Sequence, residues 1–184
     1  MAYYGAPVEY ALHTLLNLTF APPATAASAR DLADFQRLPV AYMRKLLTQL
    51  EKAGLIAARE GVSGGWRLGR EASAITVLEI AEAAQGDAGP LFECRSIRER
   101  CALWADDAPP RSATSGVCTI HAVMLAAEAV MRRELAAHTL ADIAGRVSAK
   151  SSPGGANAIP NWFAARHAGR RPRHGSVDRS RRER

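Results

Sequence analysis

Cysteine is scarce in this chain: Cys94, Cys101 and Cys118 are the only three among 184 residues. So few thiols, with no secretion signal in the opening MAYYGAPVEYALH, exclude a disulfide-stapled secreted scaffold and leave the cysteines to be explained by chemistry. Aromatic residues are also few, with four Phe, four Tyr and three Trp. No apolar run approaches the roughly 18 residues that a membrane-spanning helix needs, so no membrane segment is expected. Catalytic patterning is missing too. There is no Ser/His/Asp order, no Gly-rich phosphate loop and no dense cleft of acids, so an enzyme is not expected. What is present, a 48% hydrophobic share over this length, suits one folded cytoplasmic domain with an appended element.

Charge is unevenly spread. The chain has 24 Lys and Arg against 18 Asp and Glu, a net +6. Residues 148–184 hold nine basic and two acidic side chains, net +7, which leaves residues 1–147 at −1. Within that body, residues 28–70 carry +4 and residues 71–147 carry −4. A basic segment inside a folded body is the footprint of a surface that meets a polyanion. The tail from Ser148 is rich in Gly, Pro, Ser and Arg, with Trp162 and Phe163 its only large aromatics, and is expected to be disordered. Its arginines offer either nonspecific contacts to nucleic acid or merely a solvated end.

Periodicity organises the body. Val8, Ala11, Leu12, Leu15, Leu16 and Leu18 form a helical stripe that Pro22 and Pro23 terminate. Ser28 followed by Asp31 is a capping signal for a short helix through Phe35. After the turn Gln36-Arg37-Leu38, Pro39 opens a helix with Val40, Met43, Leu46, Leu47 and Leu50 on one face, Arg44, Lys45, Gln49 and Lys52 towards the other, and Gly54 as its stop. Two short helices joined by a tight turn, the second basic outside, describe a helix-turn-helix. Residues 55–59 and 65–68 read as two strands around a Gly-rich turn, a wing on which Arg59 and Arg67 supply charge. The candidate DNA-contacting set is therefore Arg37, Val40, Ala41, Tyr42, Arg44, Lys45 and Gln49, with Arg59, Ser63, Gly64 and Arg67 on the wing.

The fold class expected is mainly α with a small β wing. A further short helix ends near Gly86. A long helix over residues 118–138 carries Ile120, Val123, Met124, Ala127, Val130, Met131 and Leu135 in a stripe suited to a homodimer seam. The expected division is 1–86 for DNA binding, 87–117 as a cysteine-bearing loop, 118–147 for dimerisation with a short last helix, and 148–184 as tail. All three cysteines fall in or beside that loop, and Cys118 opens the long helix, where the macrodipole favours a thiolate. Their spacing matches no zinc-finger or ferredoxin pattern, so by spacing alone a soft metal centre and metal-free thiols both stay open.

In order along the chain, Val8 to Leu12, Leu32 to Asp34, Tyr42 to Leu47, Leu50 to Leu55, Gly64 to Leu68, Ile75 to Ile80, the cysteine loop and Thr139 to Ile143 resemble the Rrf-two (BadM/IscR/NsrR-like) family of bacterial winged-helix regulators. The likeness covers residues 5–147. It implies a homodimer on an imperfect palindrome of double-stranded DNA, with a [2Fe-2S] or [4Fe-4S] iron–sulfur cluster tuning affinity in response to nitric oxide, redox state or iron supply. On this resemblance Cys94, Cys101 and Cys118 match the three-cysteine pattern. Glu9 of the partner subunit matches a carboxylate ligand, and His121, in Cys118-Thr-Ile-His121, is the alternative fourth ligand. The wording around Phe92-Glu93-Cys94 and Ile97 to Arg100 resembles a two-iron redox sensor of actinobacteria, but Gln36 stands where that sensor has a ligating histidine. Glu60 stands near the position where many members carry a minor-groove arginine; either Arg59 takes that role or the wing reads backbone. A cluster-free thiol sensor of the same fold is the alternative, and zinc on a Cys/Cys/Cys/His set a lesser one.

Overall fold

The computed structural model describes residues 3–22, 25–61, 64–86, 89–104, 107–151 and 157–170. Helix α1 (Ala6–Phe20) starts from an extended Gly5 with a proline in its first turn, where a missing N–H costs nothing. It buries Val8, Ala11, Leu15 and Leu18 and is the element around which the others gather. Helix α2 (Ala29–Gln36) begins at the capping box read from the sequence. The Ser28 side chain accepts from the Asp31 N–H at 3.0 Å, and the Asp31 carboxylate accepts from the Ser28 N–H at 3.0 Å. Helix α3 (Val40–Lys52) buries Met43, Leu46, Leu47 and Leu50, the stripe its spacing predicts. Each of these leucines removed from water is worth roughly 1.5–3 kcal/mol. Gly54, at φ 69°, turns the chain into the hairpin.

Strands β1 (Ile56–Arg59) and β2 (Gly65–Leu68) pair antiparallel, with Ile56 opposite Leu68 and Ala57 opposite Arg67. Ala27 extends the sheet through two hydrogen bonds with Trp66, of 3.1 and 2.8 Å. A side chain at Gly65 would place its Cβ 2.5 Å from the Ala27 carbonyl oxygen, so this approach requires glycine. Helices α4 (Val77–Gln85) and α7 (Leu140–Lys150) both open with capping boxes, Thr76/Glu79 and Thr139/Asp142. Their first residues are tied together, Val77 N–H to His138 O at 2.9 Å and Leu140 N–H to Ile75 O at 2.8 Å. Backbone N–H donors at Thr76 and Thr139 hold the Glu79 and Asp142 carboxyls below their ordinary values. That contribution to stability is present at neutral pH and is lost as pH falls through the carboxylate range.

Between α4 and the long helix lie two 3-10 turns (Ile97–Glu99 and Ala102–Trp104) and the short helix α5 (Arg111–Thr114). Helix α6 (Thr119–Ala136) follows, with Cys118 at its N-cap position. It lies against α4, and Arg132 pairs with Glu82. No residue of α6 is buried.

Two sequence expectations need correction. Residues 111–136 contain a helical stretch long and apolar enough, by length and composition, to cross a membrane. The charged and small residues that break each literal run in the sequence do not lower its average far enough to exclude this. Second, the segment from 148 was expected to be disordered throughout, but α7 runs to Lys150 and residues 158–170 form a further helix, α8 (Ala158–Arg170). Phe163 enters the same core as α1 and α3, at 1% exposure. Two aromatics are too few to build a core alone, but they suffice to join one already formed. Ile159, Trp162 and Phe163 recur at spacings of three and four, the stripe that marks such a helix.

Candidate nucleic-acid interface and cysteine site

The turn between α2 and α3 is closed by Leu38 N–H donating to Ala33 O at 2.9 Å, with Arg37 in the left-handed region at φ 55°. This sets α3 so that the face opposite Met43, Leu47 and Leu50 is open. Ala41, Arg44, Lys45 and Thr48 are exposed, and Gln49 is half-buried beside them. Val40 and Tyr42 lie lower. Val40 packs against the core, and the Tyr42 ring meets Tyr10 edge-on at 5.7 Å. Burial raises the Tyr42 hydroxyl above the usual phenol value, so it stays a neutral donor.

On the hairpin, residues alternate between faces. Arg59 and Arg67 share one face, while Ile56, Trp66 and Leu68 turn the other towards the core. Gly64 closes the tip through its N–H to Gly61 O at 2.8 Å; a Cβ there would meet the Arg59 carbonyl at 2.4 Å. Ser63 lies outside the described residues. Among the described residues, no carboxylate pairs with Arg37, Arg44, Lys45 or Arg67. The helix-turn-helix face and the wing thus present unneutralised cations, the electrostatics that phosphate contacts need. Gln36, at the departure noted above, donates to Thr14 Oγ1 at 2.7 Å and so ties α2 to α1.

The cysteines separate into a pair and a single thiol. Cys94, Cys118 and His121 line one apolar pocket of about 340 Å³, with Phe92 and Arg98 in its wall. At the start of α6, the His121 and then the Ile120 backbone N–H hold the Cys118 thiol below the ordinary value; the Arg98 charge and Cys94 act in the same direction. This is the helix N-terminus acting on a thiolate. Arg98 is itself held by the Ser115 and Gly116 carbonyls. Cys101 lies outside that pocket, its sulfur 4.0 Å from the Arg98 carbonyl oxygen, beside the Trp104 indole that donates to the same oxygen at 3.0 Å. Glu9 is exposed in the first turn of α1 and lines a different pocket, with Leu12, His13, Val77 and Leu135. Among the described residues, no three His, Cys, Asp or Glu side chains are gathered closely enough to hold a metal ion. All three cysteines are free thiols.

Residues 5–146 match the Rrf2 family model, described as an iron-dependent transcriptional regulator. The chain belongs to the Rrf2 family. It is 30% identical over 141 residues to Rv1287, an HTH-type transcriptional regulator of Mycobacterium tuberculosis, covering 77% of this chain and 80% of that one. The fold is shared with CymR, the global cysteine regulator of B. subtilis, at a TM-score of 0.61 and 20% identity, over 79% of this chain and 98% of CymR. It is shared equally with the IscR of T. potens, at a TM-score of 0.60 and 20% identity, over 82% and 92% of the two chains. The protein is therefore a winged-helix DNA-binding transcriptional regulator, as the order of helices and hairpin predicts. The family match ends before α8, whose part beside the wing was not read from the sequence; the 159/162/163 stripe was its available signal.

Proposed function

We propose that this regulator is a cytoplasmic homodimer that grips an imperfect palindrome and whose grip is set by an iron–sulfur cluster at the cysteine site, answering to nitric oxide, redox state or iron supply. The observation that carries this reading is the meeting of Cys94, a Cys118 thiol poised towards thiolate, and His121 at the start of a helix whose apolar face is uncovered. Two soft sulfur donors and an imidazole in an apolar pocket are a fitting donor set for such a cluster. Cys101 joins them as third thiolate when the turns at 97–104 move. Either Glu9 of the partner subunit or His121 completes the set. A bound cluster supplies a centre that nitric oxide or oxidants attack.

The chain's own residues do the rest. Arg44, Lys45 and Gln49, with Arg37, Val40, Ala41 and Tyr42 at the turn and first turn of α3, meet the major groove. Arg59, Ser63, Gly64 and Arg67 meet phosphate or the minor groove. Two-fold symmetry through α6 matches the two half-sites, whose spacing is strict, so a small change at the start of α6 alters affinity. The test is anaerobic reconstitution of Cys94→Ser, Cys101→Ser, Cys118→Ser, Glu9→Ala and His121→Ala. Loss of the visible chromophore in all three cysteine variants and in one of the other two supports the reading. A wild-type protein that stays colourless and takes up no iron overturns it.

A second reading has its own observation: Cys94 and the thiolate-poised Cys118 line the same pocket without a metal. In that case a peroxide takes two electrons from the pair, a disulfide forms between the two sulfurs, and the peroxide leaves as water and alcohol. Mass spectrometry after peroxide treatment, showing a loss of two hydrogens in wild type and none in Cys94→Ser, separates it from the first.

A further inference from the structure

Helix α8 lies beyond the residues that place the chain in its family, yet it is docked on the DNA-binding half. Phe163 stacks on Phe35 of α2 with ring centres 5.3 Å apart, and Trp162 meets Phe35 edge-on at 5.0 Å. Arg166 bonds the Asp34 carboxylate at 2.8 Å while lying 4.8 Å over the Trp162 ring. At the end of the helix, the Arg170 guanidinium reaches three separate pieces of chain. One terminal nitrogen donates to Ala26 O at 2.6 Å and lies 3.3 Å from the Asp31 carboxylate; the other donates to Gly64 O at 3.2 Å. Ala26 leads into α2, Asp31 belongs to its capping box, and Gly64 closes the tip of the wing.

From these contacts we infer that α8 is a clamp that fixes the wing against the helix-turn-helix, with Arg170 as a positioning residue for DNA binding. The planar guanidinium suits this task, because its fixed fork spans two carbonyls and a carboxylate at once, which an ammonium cannot do. The hairpin is a two-stranded sheet, marginal by itself. Its root is held by Ala27 and by Ile56 and Trp66, whereas Arg170 reaches the end that carries Gly64. A wing held in one pose before DNA arrives loses less conformational freedom on binding, so affinity rises without a new contact to DNA.

The inference rests on the reading that the wing meets DNA, and the test keeps the two apart. Operator affinity is measured over a range of salt for wild type, Arg67→Ala, Arg170→Ala and Arg170→Lys, with amide hydrogen exchange of the free proteins and their melting temperatures. For Arg170→Ala, the clamp requires faster exchange across residues 57–68 in the absence of DNA, an affinity loss of about tenfold, or about 1.4 kcal/mol, and an unchanged salt slope and melting temperature. Lysine at 170 restores little of the loss. If Arg170→Ala instead lowers the salt slope by about one unit and lysine restores binding, Arg170 is a phosphate contact and the clamp is wrong. Unchanged affinity and exchange in Arg170→Ala, with Arg67→Ala weakened, overturns the clamp alone. Unchanged affinity in Arg67→Ala overturns the wing reading beneath it.

Discussion

In the DNA-binding half, Leu15, Leu32, Leu47, Leu50 and Ile80 are sealed from water, whereas α6 buries no residue over eighteen positions and leaves Ile120 and Val123 68% and 63% exposed. The apolar residues are of the same kinds in both regions; what differs is whether the chain supplies something to cover them. Around α1, five helices and the hairpin interlock, and their ends are finished by capping boxes at Ser28, Thr76 and Thr139. Along α6, the contacts with α4 and the Arg132–Glu82 pair cover one side. The recognition half is complete by its own packing. The cysteine half, on the reading proposed above, is completed by a second copy of the chain and by a cluster.

The largest effect that separates the two regions is on stability. Leu47→Ala opens a cavity in a closed core and is expected to cost about 2–5 kcal/mol in denaturant melts. Leu125→Ala on exposed α6 is expected to stay within about 0.5 kcal/mol. Equal costs would mean that α6 is already packed. Next comes assembly. Val130→Glu places an unpaired charge in the α6 seam and is expected to turn a sedimenting dimer into a folded monomer with unchanged helix content. A wild type that sediments as a monomer at micromolar concentration removes the seam. A smaller effect falls on DNA binding: Arg44→Ala and Arg67→Ala each lower the salt slope by about one unit and weaken binding to all sequences alike. The smallest is confined to one thiol. Because the α6 backbone N–H groups favour its thiolate, Cys118 is expected to be alkylated at lower pH in the folded apo protein than in urea, with rates read by peptide mass spectrometry. Coincident pH profiles would remove the N-terminal effect.

Local signals were legible wherever a residue acts on its own neighbours. Ser28 with Asp31, Gly54 after α3, and the 43/46/47/50 stripe each specify an element without knowledge of the rest of the fold. The open basic face of α3 follows from the same spacing. What was not legible depended on distant chain. Trp162 and Phe163 sit in a sequence of Gly, Pro and Arg, and their partner is Phe35, far away along the chain. Composition favoured disorder there, and tertiary packing prevailed. The division of the cysteines has the same cause: spacing puts all three near one connection, but the turn at Ile97–Glu99 directs Cys94 towards Cys118 and leaves Cys101 beside Trp104. Glu9 and His121 remain rivals because one lies on α1 and the other beside the cysteine pair, and a dimer decides whether they meet.

The most direct measurement is operator affinity of the anaerobically purified protein before and after iron is removed by a chelator, with Cys118→Ser as control. If the cysteine site controls the DNA-binding face, the purified protein is coloured, its affinity shifts by about tenfold or more on iron removal, or about 1.4 kcal/mol, and Cys118→Ser is indifferent to the chelator. A coloured wild type whose affinity does not move, or a colourless one that binds as Cys118→Ser does, contradicts it.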